Sequence, residues 1–263
     1  MVVDESGAVL TARSVPGMLA VTARPDVNGD VELSTGSRDG LHVAVPHGGM
    51  HVPVGLSRVG TAVDAGTAAR SWLTAVLGRP ARLVWLDDPA RRTVSGAHGG
   101  LEGDVLSLAD AGPLLLTSAA SLRRLDRWIS DGYAQRHAQC GNAAGSRPTP
   151  HAMERFRPNV VVEGDLDAFV EDTWRTVQMG PARLRVTERV DRCVLTTVEP
   201  TTGQRSAEPL RTLSRHRQWE GKVWFGVRLV PDGPSTLAIG DPVLAQAAVA
   251  DVADRALEPD AAR

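Results

Sequence analysis

Lysine is nearly missing from this chain. Lys222 is the only one, so almost all of the basic charge is arginine. A cofactor held as a Schiff base would therefore have a single point of attachment. Cysteine is as scarce, with Cys140 and Cys193 alone among 263 residues. Two cysteines cannot make a disulfide framework, and they fit a reducing cytoplasm. They also exclude an iron–sulfur cluster held by four thiolates of this chain. Long apolar runs are missing too. Nothing approaches the roughly 20 residues that cross a bilayer, and the start, MVVDESGAVL, carries acid where a secretory leader needs a basic region before an apolar one. The expectation is a cytoplasmic protein with no membrane partner. Finally there is no basic surplus, since 29 Lys and Arg stand against 31 Asp and Glu. That balance argues against a general nucleic-acid or anionic-membrane binder, while leaving room for a local basic patch.

Familiar catalytic spacings are absent as well. The run HGGMHVPVG (47–55) has neither P-loop nor GxGxxG spacing, so nucleotide binding has no support. His47 and His51 fall in turn and strand context, and the other histidines are scattered, which offers no converging zinc set.

What is present reads mostly as short strands. MVV (1–3) and AVLTAR (8–13) flank a turn at Glu5-Ser6-Gly7, and VELST (31–35), LHVAVP (41–46) and HVPVG (51–55) continue the pattern. Between Val63 and Leu77 the apolar spacing predicts a helix, stopped by Gly78 and Pro80, before ARLVWL (81–86) returns to strand. The stretch from Asp87 to Gly103 reads as a domain boundary or long loop. Leu114 to Leu116 make a short strand, and Ser118 is placed to cap a helix whose inner face is Leu122, Leu125, Trp128 and Ile129. Residues 131–150 read as a loop containing Cys140. Strands are expected again at 159–164, 183–190, 193–198, 224–230 and 235–243, with a short helix over Ala207 to Arg215. Many short strands with few helices point to an α+β, mainly β fold: a closed or partly closed barrel decorated by helices.

Five strings, MERFRPNVVVEG (153–164), RCVLTTVEPTTG (192–203), PLRTL (209–213), FGVRLVP (225–231) and IGDPV (239–243), occur in the order found in the MOSC domain family, and the segment resembles that domain. Upstream, residues 1–21, 72–84 and 108–122 resemble the β-barrel module that precedes it. The resemblance implies a MOSC-type β-barrel with peripheral helices over 104–250, a smaller and apparently N-terminally truncated β-barrel module over 1–98, and a tail over 251–263. The family pattern begins with a strand bearing a YPVKS-like motif and a turn with Asp-Arg, whereas this sequence starts at the Met that should follow, so an upstream start codon is expected. The resemblance also implies a molybdopterin-type molybdenum cofactor, with Cys193 as the metal ligand. Pyridoxal phosphate is not expected, because no Schiff-base domain accompanies the module.

The residues themselves are compatible with that chemistry. A soft thiolate at Cys193 suits a polarisable metal centre, with Arg192 beside it as a compensating charge; a lone cysteine opening a strand is otherwise a small buried hydrophobe. Arg157 precedes Pro158, which favours an extended backbone placing Arg155, Arg157 and Asn159 on one face. Arginine forks hold phosphate and asparagine reads a pterin amide edge, the alternative being a solvated arginine pair. Thr117 and Ser118 sit where a strand enters a helix and offer backbone N–H groups to an anion, or Ser118 serves its own helix alone. Thr197, Glu199 and Arg211 lie in family strings downstream. Asp191 stands two before the cysteine, where the family's reductases carry Ser; its carboxylate would repel an anionic cofactor unless an arginine neutralises it or it faces away.

The reading that follows is a molybdenum oxidoreductase that abstracts oxygen from small N-hydroxylated or N-oxide substrates at a Cys-ligated centre. Its electrons would come from a separate protein of ferredoxin or cytochrome/flavin reductase type. The alternatives are a non-catalytic carrier of the cofactor or its sulfur, and a degenerate barrel that holds neither.

Overall fold

The computed structural model describes residues 1–36, 38–139 and 149–247. Cys140 and the tail over 251–263 lie outside the described residues. Among those described, no helix is long and apolar enough to cross a membrane.

The first unit holds two sheets and one helix. Strands β1 (Val2–Val3), β2 (Thr22–Pro25), β3 (Val31–Thr35), β4 (Arg38–Val43), β5 (His51–Val54), β6 (Gly60–Asp64) and β7 (Arg82–Trp85) form one sheet ordered β1-β7-β6-β5 and a second ordered β2-β3-β4. In β5 burial alternates, with Val52 and Val54 inside and His51 and Pro53 outside, as a half-buried strand requires. Helix α1 (Thr67–Leu77) buries Ala69, Trp72 and Leu73 against Leu33 and Val43. It ends where Gly78 turns left-handed and its N–H reaches the carbonyl of Thr74. The turn after β1 forms as expected: the carboxylate of Asp4 accepts from the N–H groups of Ser6 and Ala8, and Gly7 sits at φ 87° with a Cβ position only 2.3 Å from the carbonyl oxygen of Pro53. The expected strand over 8–13 does not form. Only Val9 bridges Val3, because Thr11 starts a hydrogen-bonded turn to Ser14 and Val15.

The connection after β7 remains a loop but is packed. Arg92 is buried, and its guanidinium donates to the carbonyls of Ser107 at 2.9 Å, Asp110 at 3.0 Å and Ala109. Satisfying three backbone acceptors with one cation removes the main obstacle to burying irregular chain. Val94 and Leu106 then pack on Val230, and Asp104 takes both nitrogen bonds of its oxygens from Arg185, at 2.7 Å each.

The second unit is built on β8 (Leu114–Ser118), α2 (Ala119–Gln139), β9 (Val160–Val162), β10 (Trp174–Met179), β11 (Ala182–Asp191), α3 (Leu210–His216), β12 (Gln218–Trp219), β13 (Lys222–Pro231) and β14 (Val243–Ala247). Its seven-stranded sheet runs β14-β10-β11-β13-β8-β9, with β12 paired to β13. The order is an open path, a half-barrel rather than a closed one. All pairs are antiparallel except β8 with β9, which α2 separates as a crossover. One face closes over Leu116, Val177, Leu184, Val227 and Leu229. Against the helices, Leu125, Ile129, Phe156, Leu213 and Phe225 form another core, with the Phe156 and Phe225 rings stacked 4.0 Å apart.

The mainly β, α+β class is the one read from the sequence, and several boundaries differ. Helix α2 runs to Gln139, through residues assigned to loop, because Leu125 and Ile129 anchor a helix whose later turns need little further burial. Residues 194–197 form a one-turn 3-10 helix, not a strand, and the last strand begins only at Val243. Strands β2, β6 and β10 were not visible as separate elements in the sequence pattern.

Candidate functional site

Strand β11 ends at Asp191, held by the pairing of Asp191 with Trp224 and by the Arg192 N–H donating to Val223 at 2.7 Å. Cys193 then stands as the N-terminal cap residue of the 3-10 helix Val194–Thr197. Its carbonyl accepts from the N–H of Thr196 at 3.1 Å and from the Thr196 hydroxyl at 3.0 Å, which fixes the backbone and leaves the thiol exposed. The sequence allowed a buried cysteine at the head of a strand; the structure has an exposed one at the head of a turn.

The turn bearing Cys193 is tied to a second turn, the 3-10 helix Met153–Phe156. Arg192 donates to the carbonyl of Phe156 at 2.6 Å and lies over its ring at 5.4 Å. Arg155 reaches the other way, to the carbonyl of Thr196 at 3.4 Å and to the carboxylate of Glu199. Arg155 is thus a strut between the two turns, with its charge already answered by Glu199.

Arg157 follows the second turn and corrects the expectation of an extended run. It adopts φ 53°, ψ 48°, left-handed, so Arg155, Arg157 and Asn159 do not share one strand face. Proline at 158 disfavours the right-handed helical region for Arg157, and the 3-10 turn before it leaves the left-handed basin as the exit. A non-glycine residue there costs roughly 1–3 kcal/mol, a strain that gathers at ligand sites. Arg157 is exposed; its backbone N–H donates to the Glu154 carbonyl at 3.0 Å, and its guanidinium has no hydrogen-bonding or ion-pair partner among the described residues. Asn159 is fixed by β8: its side-chain oxygen accepts from Leu115 N–H at 2.8 Å and its own N–H donates to the Leu115 carbonyl at 2.9 Å. That leaves only the side-chain amide nitrogen to donate outward.

Charge in this region is positive and incompletely satisfied. Burial lowers Arg192 to a pKa of about 10; Cys193 and Asp191 oppose the shift, while Arg157 and Arg228 add to it. The Nε of Arg192 is buried without a partner. Asp191 is exposed, and its charge favours protonated Arg192 without forming an ion pair with it. Replacing it with serine, Asp191→Ser, should change stability by less than about 0.5 kcal/mol, as at exposed sites generally. It should also raise retention of an anionic ligand, measured as molybdenum per folded chain; a fall in retention would show that Asp191 contributes to binding.

At the junction of β8 and α2 the side chains turn inward, and Ser118 caps its helix as the sequence allowed. Thr117 is buried, with its hydroxyl 3.2 Å from the Met153 sulfur. The Ser118 hydroxyl caps its helix by accepting from Ser121 N–H at 3.1 Å, and it lies 3.1 and 3.2 Å from the two carboxyl oxygens of Glu171. Ser121 donates to Glu171 at 2.6 Å and accepts from Phe169 N–H at 2.7 Å. All three side chains are fully buried, and burial raises the Glu171 carboxyl above the ordinary value against the pull of the two serines. Sequence reasoning missed Glu171, whose partners lie 50 and 53 residues away. The hydroxyls of Ser118 and Ser121 are therefore committed inward, and only backbone groups remain there for a ligand.

Thr197 and Arg211 also have internal partners. Thr197 is buried and donates to the Val194 carbonyl at 2.7 Å. Arg211 binds Glu208 through Nε at 2.9 Å and a terminal nitrogen at 2.7 Å. Among the described residues no cluster of three His, Cys, Asp or Glu side chains could hold a metal ion. The donor set at the Cys193 turn is one soft thiol beside arginines, which suits a metal already carried by an anionic ligand. The exposed thiol, the unpartnered guanidinium of Arg157 and the orphaned Nε of Arg192 fit such a group.

The fold is α+β and mainly β, a half-barrel that presents the exposed thiol of Cys193 beside arginine-bearing turns. More particularly, this chain belongs to the MOSC domain family: the model of the MOSC domain matches residues 103–244 and that of the MOSC N-terminal beta barrel domain matches residues 1–80. The family is associated with the molybdenum cofactor. The chain is 29% identical to mitochondrial amidoxime-reducing component 1 of Homo sapiens, covering 92% of this chain and 71% of that protein. To mitochondrial amidoxime reducing component 2 of Rattus norvegicus it is 31% identical over the same shares, 92% and 71%. With the molybdenum cofactor sulfurase of Danio rerio it shares 33% identity over 64% of this chain, which spans only 19% of that protein.

Proposed function

We propose that this protein is a molybdenum-cofactor-dependent oxidoreductase that removes oxygen from small N-hydroxylated or N-oxide compounds. The observation that carries the reading is Cys193: an exposed thiol at the head of a braced turn, flanked by the half-buried Arg192. Similarity to amidoxime-reducing components over 92% of the chain supports the choice of reaction.

When bound, the cofactor would supply a two-electron centre whose chemistry the protein itself lacks. Cys193 would ligate the metal. Arg157, already in a strained backbone and with its guanidinium unpartnered, would take the phosphate, and Asn159 would donate its free amide hydrogens to the pterin. Arg192 behind Cys193 would hold positive charge against the bound anion, and its tie to Phe156 would keep the Cys193 and Arg157 turns at a fixed separation. Arg155 acts through those turns and does not contact the ligand.

Reducing an N–OH group to N–H and water takes two electrons and two protons, and we assign the electrons to a separate donor protein. Reduced viologen should therefore drive amidoxime or N-oxide reduction by the cofactor-loaded protein, and NADH alone should not. Turnover with NADH as sole reductant in a clean preparation would reveal a second cofactor. A carrier of the cofactor or its sulfur is the second reading, favoured by Asp191 beside the thiol. Stoichiometric molybdenum without viologen-driven turnover would select it.

A further inference from the structure

We propose that the layer formed by α2 and α3 is the docking surface for an acidic electron-donor protein. The inference rests on the oxidoreductase reading for the donor's role, but the surface can be tested without it.

Helix α2 carries Arg123, Arg124 and Arg127, and α3 carries Arg215; all four are exposed, and none has an ion-pair partner among the described residues. Of the other charges on these helices, Asp126 holds His151 at 3.0 Å, Arg211 holds Glu208, and Arg217 beyond α3 holds Asp172, while Arg136 on α2 has no ion pair among the described residues. Asp131 is the exposed carboxylate left on α2. The unmatched charge of the layer is thus strongly positive on a chain whose net charge is −2, so the basic face is local and not a reflection of overall charge. Arg123 and Arg127 stand one helical turn apart, where like charges repel, so folding of the helix does not explain them.

Shape agrees with charge. A groove of about 210 Å³ lies between the helices, lined by Trp128, Asp131, Gln135, Arg215 and His216 among others. The Trp128 ring is covered by His216 at 4.2 Å and by Phe169 at 5.4 Å, and Arg124 lies over it at 5.2 Å. No face of that ring is left for a planar ligand. The groove itself holds one carboxylate, Asp131, and one guanidinium, Arg215; it is the rest of the layer, with Arg123, Arg124 and Arg127, that offers cations to acidic side chains. It also lies next to the chemistry: α3 packs against the Val194–Thr197 turn that Cys193 caps, and α2 springs from Ser118. A donor seated on the layer would bring its redox centre toward the Cys193 turn. The same arginines could hold a nucleic-acid backbone, but the packing of α3 on the turn that Cys193 caps favours an acidic redox protein.

The test uses the full-length protein, loaded with cofactor, and an acidic [2Fe–2S] ferredoxin as probe. Wild type is compared with Arg123→Glu/Arg127→Glu/Arg215→Glu, whose melting temperature serves as the folding control. Wild type should bind the ferredoxin, less tightly as salt is raised, and the variant should bind at least about tenfold more weakly. Ferredoxin-driven turnover should fall in parallel while viologen-driven turnover stays at the wild-type rate. Equal ferredoxin affinity in the two proteins overturns the proposal, as does a wild type that binds no ferredoxin. Preference of wild type for a DNA duplex over ferredoxin, lost in the variant, overturns it in favour of nucleic acid. A wild type that binds ferredoxin through these arginines yet never turns over with viologen supports the surface and defeats the oxidoreductase reading.

Discussion

Cys193→Ser should abolish N-reductive turnover and leave the fold untouched. Serine exchanges a soft, polarisable donor for a hard one, and a soft metal centre loses its protein ligand. The fall should exceed the 10–100-fold loss that follows removal of a group merely supporting a metal ligand. Stability should move little, within about 0.5 kcal/mol, because the thiol is exposed and Cys193 contributes its carbonyl, not its sulfur, to the turn. Cofactor should remain wherever Arg157 and Asn159 provide most of its binding. The measurements are melting temperature, molybdenum content and viologen-driven rate, with Cys140→Ser as the parallel variant. Equal rates in the two variants would remove Cys193 from the metal and end the mechanism proposed above.

The largest effect on stability is expected at Glu171. Glu171→Ala removes the shared acceptor of Ser118 and Ser121 in a fully buried site; their hydroxyls, 2.8 Å apart, can bond each other, which leaves one donor unsatisfied. An unsatisfied buried hydroxyl costs roughly 1–3 kcal/mol, so the variant should lose about that much, read as a lower urea midpoint at constant slope. Glu171→Gln keeps an acceptor and should lose less. The pH dependence separates charge from packing. Burial raises the folded carboxyl above the ordinary 4.5, so folding binds its proton more tightly than the unfolded chain does. The associated stability is complete below 4.5 and is lost as pH rises through the folded value. The stability of Glu171→Gln relative to wild type should therefore increase with pH above 4.5. A flat difference across that range would mean that the carboxyl does not titrate abnormally.

How much of this was legible can be judged from particular residues. Helix α1 was readable because the spacing of Ala69, Trp72 and Leu73, followed by Gly78, is a local signal. The start of α2 was readable for the same reason, Ser118 preceding the stripe that ends at Ile129. Residues 193–198 misled because Val, Leu and Thr favour strands, yet Thr196 and Thr197 turn their hydroxyls onto the carbonyls of Cys193 and Val194 and close a turn instead. Arg157 misled because the residue before a proline favours an extended backbone, whereas here the preceding 3-10 turn closes through a left-handed exit.

The sequence by itself determined the class of fold, the strand-rich pattern, the membership of a family and the residues from which a site would be drawn. Those follow from periodicity and from strings short enough to be read along the chain. Only the tertiary structure decided which of those side chains stay exposed and which are engaged inside the protein. It exposed Cys193 and Arg157, turned Arg155 into a strut to Glu199, and drew Ser118 inward to Glu171. The physical reason is that a buried charge or hydroxyl must find a partner, and the nearest partner in space is set by packing between segments tens of residues apart.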